Sequence, residues 1–231
     1  MKRKATVPMR SKGMAHVHGQ LVDRIVSDAP PVKPVTSVFN QWLLWLILSA
    51  VVMGLWLWNL HIQANAGQVL SHMPPRAFLL TAYLGAALAA WEAISSSLPG
   101  RQMGKGYLVF SLLVMLAILC IPFLLFYPAG QSYDVWGSFI GGIECAQHVV
   151  LVGVLPWVLL GWRLSRNASF RPSWTGAWSG VSAFLLGTVT VQLHCPGWDA
   201  RHMVSAHLLP AVFLIFFTTF IGSFWFARWR K

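Results

Sequence analysis

The sequence predicts an all-α membrane protein: six transmembrane helices, both termini cytoplasmic, and a short cytoplasmic N-terminal tail. Three observations predict it. Of 231 residues, 56% are hydrophobic and only 10% charged, where a soluble domain carries about a quarter charged residues. The apolar residues come in blocks long enough to cross a bilayer, and the mean hydropathy is +0.60. The basic residues lie between those blocks and alternate in density from loop to loop. Together these features exclude a soluble enzyme, a disordered regulator and a disulfide-rich secreted domain.

The blocks span 41–60, 77–97, 107–127, 146–162, 174–194 and 206–226. Each approaches the roughly 20 apolar residues that cross a hydrocarbon core about 30 Å thick. They must be helices, because backbone facing lipid has to satisfy its own hydrogen bonds. The chain therefore divides into a tail (1–40), a membrane domain (41–226) solvated by lipid, and a C-terminal tail (227–231). Short connections make helices adjacent in sequence adjacent in space.

Charge sets the orientation. Seven Lys/Arg precede the first block, and Arg101, Lys105, Arg163, Arg166, Arg171, Arg228, Arg230 and Lys231 fall on the same side. Only Arg76 and Arg201 fall on the other, so the positive-inside rule puts both termini in the cytoplasm. The net charge of +11 is thus a topology signal and not a nucleic-acid patch, which needs clustered basic residues on a folded polar surface. No direct nucleic-acid partner is expected. Ala64-Asn65-Ala66 resembles a signal-peptidase site, but the first block is longer than a signal core and follows 40 residues, so it reads as an uncleaved anchor.

Small residues mark close helix approaches: Gly85 with Ala89, and Gly176 with Gly180, which can serve the cysteine face if that pair is turned towards the fourth block. Pro122, Pro156 and Pro210 are expected to bend their helices. In the tail, Leu21, Val22, Ile25 and Val26 share one face of a short amphipathic helix over about residues 19–28. It must stop before Pro30 and Pro31, and Pro34 keeps the linker extended. Such a helix suits a membrane surface or another protein's groove. Met14, which follows a basic stretch, is a candidate start.

The outer face collects the chemistry. Cys120 lies deep in the third block and reads as a small buried residue, whereas Cys145 and Cys195 sit where the fourth block enters and the fifth leaves on that face. If those two helices pack closely, the pair can form a disulfide, which persists in an oxidising compartment. His148, His194, His202 and His207 crowd the same face, with Glu144 beside them. Thiolate and imidazole together suit zinc or copper, although the spacing matches no standard finger. The alternative is a set of interfacial polar groups satisfied by water. Glu92 is the one acidic residue inside a block. It is either a functional carboxylate or a group that pairs with Arg101 or Lys105 or reaches towards water.

The segment from Leu21 to Asp28, followed by Pro31-Val32-Lys33-Pro34 and an anchor near Trp42, carries a resemblance. So do Gly141-Gly142-Ile143-Glu144-Cys145 with Pro156, and Leu193-His194-Cys195-Pro196 with His202, His207 and Pro210. Over roughly residues 20–226 the chain resembles the NrsF-like family of six-pass bacterial membrane anti-sigma factors. The resemblance implies an inner-membrane protein, not an enzyme, whose tail holds an extracytoplasmic-function (ECF) sigma factor. Contacts would centre on Leu21, Val22, Ile25, Val26, Pro31 and Pro34. Cys145 and Cys195 would sense oxidative or metal stress and release the sigma factor. No resident cofactor is expected, with zinc or copper as a candidate stimulus. Two alternatives stand beside it: a membrane metal or haem redox subunit using the outer-face Cys/His cluster, and a small proton-coupled transporter using Glu92.

Overall fold

Ser37 opens the first helix. Its hydroxyl accepts the Asn40 backbone N–H at 3.2 Å, an N-cap that starts the helix three residues ahead of the apolar block. In this computed structural model the described residues are 36–62, 67, 71, 73–98, nine positions within 106–120, 142–167, 169–195 and 200–227. Among them there are helices and no strands. We number the helices α1 (Val38–Leu60), α2 (Met73–Ser96), α3 (Ile143–Leu164) and α4 (Pro172–His194). α5 is built of three successive segments, Ala200–His202, Met203–Leu208 and Leu209–Trp225.

Among the described residues, five stretches are long and apolar enough to cross a membrane: Val38–Asn59, Pro75–Ser96, Ile143–Leu164, Pro172–His194 and Met203–Trp225. They correspond to the first, second, fourth, fifth and sixth blocks of the sequence. The third block, 107–127, falls mostly outside the described residues, and the positions described within it are helical. The tail residues Leu21, Val22, Ile25, Val26, Pro31 and Pro34 also lie outside them, as do Arg101 and Lys105.

α4 is the central helix. It packs on α2, α3 and α5 and is buried along nearly its whole length. A helix rich in Ser, Thr and Gly can occupy that place because its hydroxyls turn back onto its own carbonyls: Ser179 to Gly176 (2.8 Å), Thr188 to Phe184 (3.0 Å) and Thr190 to Leu186 (2.8 Å). Ser182 instead donates across to the Ala86 carbonyl of α2 at 2.8 Å. The outer helices turn large apolar side chains away from the protein, as lipid requires. Phe213, Phe216, Phe217, Phe220 and Phe224 of α5 are each more than half exposed.

Glycine sets the close approaches, at Gly176 and Gly180 as the sequence suggested, although their partner is not the fourth block. A Cβ on Gly176 would lie 2.5 Å from the Thr218 carbonyl and 2.9 Å from the Gly222 Cα. The Gly176/Gly180 pair therefore seats α5 on α4 and does not face α3. The approach of α4 to α3 is made by Gly187, whose added Cβ would meet the Val149 carbonyl at 2.6 Å. That contact brings together the helix ends that carry the two cysteines.

The opposite end of the bundle holds a polar cluster. Asn167 donates to Ser97 at 2.7 Å and lies 3.5 Å from the Gln41 side-chain oxygen. Thr175, at the start of α4, hydrogen-bonds Ser96 (3.0 Å) and Ser169 (2.9 Å). Three helix termini and the α3–α4 turn are tied there by side chains that are nearly all buried.

Candidate functional site: a two-cysteine, two-histidine cluster

Cys145 occupies the first turn of α3, and Cys195 caps the C-terminus of α4, where its N–H bonds the Val191 carbonyl at 2.7 Å. Their sulfurs lie 3.0 Å apart, with the Cys145 thiol donating to the Cys195 sulfur. The Cys195 sulfur also contacts the His202 Nε2 at 3.0 Å. Hydrogen bonding from Cys145, and then from His202, favours the thiolate and draws the Cys195 thiol below its ordinary range against the opposing effect of burial.

His207 completes the group. One donor atom from each of Cys145, Cys195, His202 and His207 falls within 4.8 Å of all the others. Cys195 and His207 are fully enclosed, whereas Cys145 and His202 are half-buried. The rings of His202 and His207 meet edge to face with centroids 5.2 Å apart.

That pairing depends on an unusual turn. In an α-helix, residues five apart are separated by about 500° of rotation and so point about 140° away from each other. Here Met203–Leu208 forms a π-helix, with the Leu209 N–H bonding the Val204 carbonyl five residues back. The wider turn brings positions 202 and 207 onto one side. Pro210 accounts for its location, because proline has no N–H for the carbonyl four residues earlier and its ring crowds that carbonyl. The sequence flagged Pro210 as a bend, and the structure places a widened turn just ahead of it. π turns occur frequently at functional sites.

The other predicted ligands stand apart. His148 lies 2.8 Å from the Glu144 carbonyl through its Nδ1, and His194 lies 2.8 Å from the His61 carbonyl. Their rings form a half-buried pair with centroids 6.3 Å apart. Cys145 and His148 therefore diverge despite their i, i+3 spacing, and Glu144 contributes no donor atom to the cluster. Cys120 is half-buried and takes no part in it. Glu92 is 1% exposed, and neither carboxylate oxygen has a hydrogen-bond partner among the described residues. It does not reach towards water.

Comparison with known proteins places the chain in a family. A family model described as NrsF, negative regulator of sigma F, matches residues 25–229. The chain belongs to the NrsF family. The match begins inside the predicted tail helix and takes in all four cluster residues. NrsF membership makes the chain a negative regulator of a sigma factor, with a sigma factor as its partner. No match was found among curated proteins or among solved structures. The set of apolar helices accords with a multi-pass membrane protein.

Proposed function

We propose that this NrsF-family chain is a bacterial inner-membrane anti-sigma factor that holds an ECF-type sigma factor through its cytoplasmic N-terminal tail. It lets go when the state of Cys145 and Cys195 changes on the periplasmic side. The observation that carries this reading is the NrsF match over residues 25–229, and charge and packing support it. Fifteen of the 17 basic residues lie on one side of the predicted topology. A sixth span over 107–127 would return the chain to that side, leaving both termini cytoplasmic. On this orientation the tail sits in the compartment where RNA polymerase works, and the cysteines sit in the oxidising one.

The tail would act through Leu21, Val22, Ile25 and Val26, one apolar face of about two turns docking in a groove of the sigma factor, with Pro31 and Pro34 holding the linker extended. The trigger would be covalent or coordinate. A peroxide-class oxidant can take two electrons and two protons from the thiols, leaving one S–S bond and water. Sulfurs 3.0 Å apart need close by only about 1 Å to reach the disulfide length. Pinning α3 to α4 contributes about 2–4 kcal/mol, enough to move a two-state equilibrium roughly 30- to 1,000-fold.

The test is capture from native membranes with a C-terminal tag, comparing the full chain with one lacking residues 14–34. A sigma factor recovered only with the intact tail is the expected result. A folded, membrane-inserted full chain that recovers none overturns the reading and moves the function to the cysteine–histidine cluster itself, as a membrane metal or redox subunit.

A further inference from the structure

We propose that Cys145, Cys195, His202 and His207 form a closed tetrahedral site for a thiophilic d¹⁰ divalent cation of the zinc class. The set deepens the proposed function, and it rests on that reading only for what occupancy would control. Two sulfurs and two imidazole nitrogens are a complete ligand set for such an ion, with no position left for substrate. Tetrahedral bonds of about 2.3 Å to sulfur and 2.0–2.1 Å to nitrogen put neighbouring donors about 3.3–3.8 Å apart. Here the sulfurs are 3.0 Å apart, Cys195 and His202 are 3.0 Å apart, and no pair exceeds 4.8 Å. Seating an ion requires shifts of about 1 Å.

A second observation points the same way. His207 is 0% exposed, and its ring nitrogens find no hydrogen-bond partner among the described residues outside the cluster, where the Cys195 sulfur faces the ring. Buried polar groups are nearly always paired, and leaving one unpaired is costly. A cation bonded to one nitrogen of His207 would remove part of that cost. The π turn has the same logic, since it sustains irregular helix geometry at the one place where that geometry sets His202 and His207 side by side. His148 and His194 form the contrasting pair: neither is fully buried, and the Nδ1 of each sits against a backbone carbonyl.

Metal and disulfide compete for the same two sulfurs. When a peroxide-class oxidant oxidises the two bound thiolates, two electrons pass to the peroxide, two protons are consumed, water leaves and the cation is released. One site would thus respond to both an oxidant and an excess of soft metal.

The test uses the full chain, reduced and metal-free in detergent, titrated with Co²⁺. The expected result is one cobalt per chain, the intense visible bands of tetrahedral cobalt and a thiolate-to-cobalt charge-transfer band. Zn²⁺ or Cd²⁺ should displace the cobalt, and peroxide should release it. Cys145→Ser and Cys195→Ser should abolish the charge-transfer band or halve it. His207→Gln should weaken binding at least about tenfold, and the double variant His148→Gln/His194→Gln should bind as wild type. His202→Cys, which keeps a donor, should retain the metal with a stronger charge-transfer band, so the assignment stays testable if His207→Gln fails to fold. Octahedral cobalt overturns the proposal, as does binding indifferent to both His202 and His207 or lost with His148 and His194. Sigma-factor capture is a separate readout: if it fails while cobalt binds, the regulatory reading falls and the metal site stands.

Discussion

Gly187 of α4 lies against the carbonyl of Val149 in α3 so closely that a Cβ there would be 2.6 Å from the oxygen. Val149 is one turn from Cys145, and Gly187 is about two turns from Cys195. Gly187→Ala should therefore push α3 and α4 apart at the cysteine end. The expected cost is about 1–3 kcal/mol of stability, with a clear drop in the yield of the Cys145–Cys195 disulfide under mild oxidant. Gly176→Ala, which meets Thr218 and Gly222 of α5 instead, should destabilise comparably yet leave that yield near wild type. Equal disulfide yields from the two variants would contradict the assigned helix faces.

The cysteine pair should behave as one unit. Cys145→Ser and Cys195→Ser should each change the basal or induced output of the sigma-dependent promoter, and the double variant should match the singles. Both residues enter through one bond or one bound ion, so losing either loses the whole. A reporter assay under oxidant and under cadmium checks this, and wild-type behaviour in all three strains would remove cysteine sensing from the mechanism.

Much of the scaffold was legible because bilayer thickness dictates apolar length, a constraint written directly in the sequence. The blocks at 41–60, 77–97, 146–162, 174–194 and 206–226 each correspond to a helix. The meeting of Cys145 and Cys195 was legible for the same reason, since helices joined by a short turn end at one depth. The choice among the histidines was not. Regular α geometry groups Cys145 with His148 and separates His202 from His207; the π turn reverses the second inference, and His148 fails the first because its ring sits against the Glu144 carbonyl and the His194 ring. The partner of Gly176 was also hidden, because small residues announce a close approach without naming which helix makes it.

Pro210 offers a way to separate stability from site geometry. Pro210→Ala restores an N–H that can reach the Ala206 carbonyl and removes the ring that crowds it. The turn before it should then relax from π to α, and the helix itself should become more stable. His207 would rotate away from Cys195, so cobalt affinity should fall at least about tenfold while the thermal midpoint holds or rises. Such a pairing of unchanged stability with lost affinity is not expected of a merely damaged core. Thermal unfolding and cobalt titration of one preparation measure both, and unchanged affinity would show that the π turn does not depend on the proline.

Asn167 tests how the two ends of the bundle communicate. Its amide donates to Ser97 at 2.7 Å and lies 3.5 Å from Gln41, in the first turn of the helix that follows the tail. Beside it, Thr175 at the start of α4 is bonded to Ser96 and Ser169. α4 therefore runs from Cys195 at one end to this cluster at the other. Because it is buried along its length between α2, α3 and α5, a shift at Cys195 would be expected to move it as a packed rod. Asn167→Ala removes a buried amide and takes away a hydrogen bond at the root of the tail, at a cost of about 1–3 kcal/mol. If α4 carries the signal, this variant should raise promoter output without any stimulus and flatten the response to oxidant. Its cobalt spectrum should be unchanged, because the cysteine–histidine site lies at the far end. Wild-type basal output from a correctly inserted Asn167→Ala protein would mean that the signal reaches the tail without passing through this cluster.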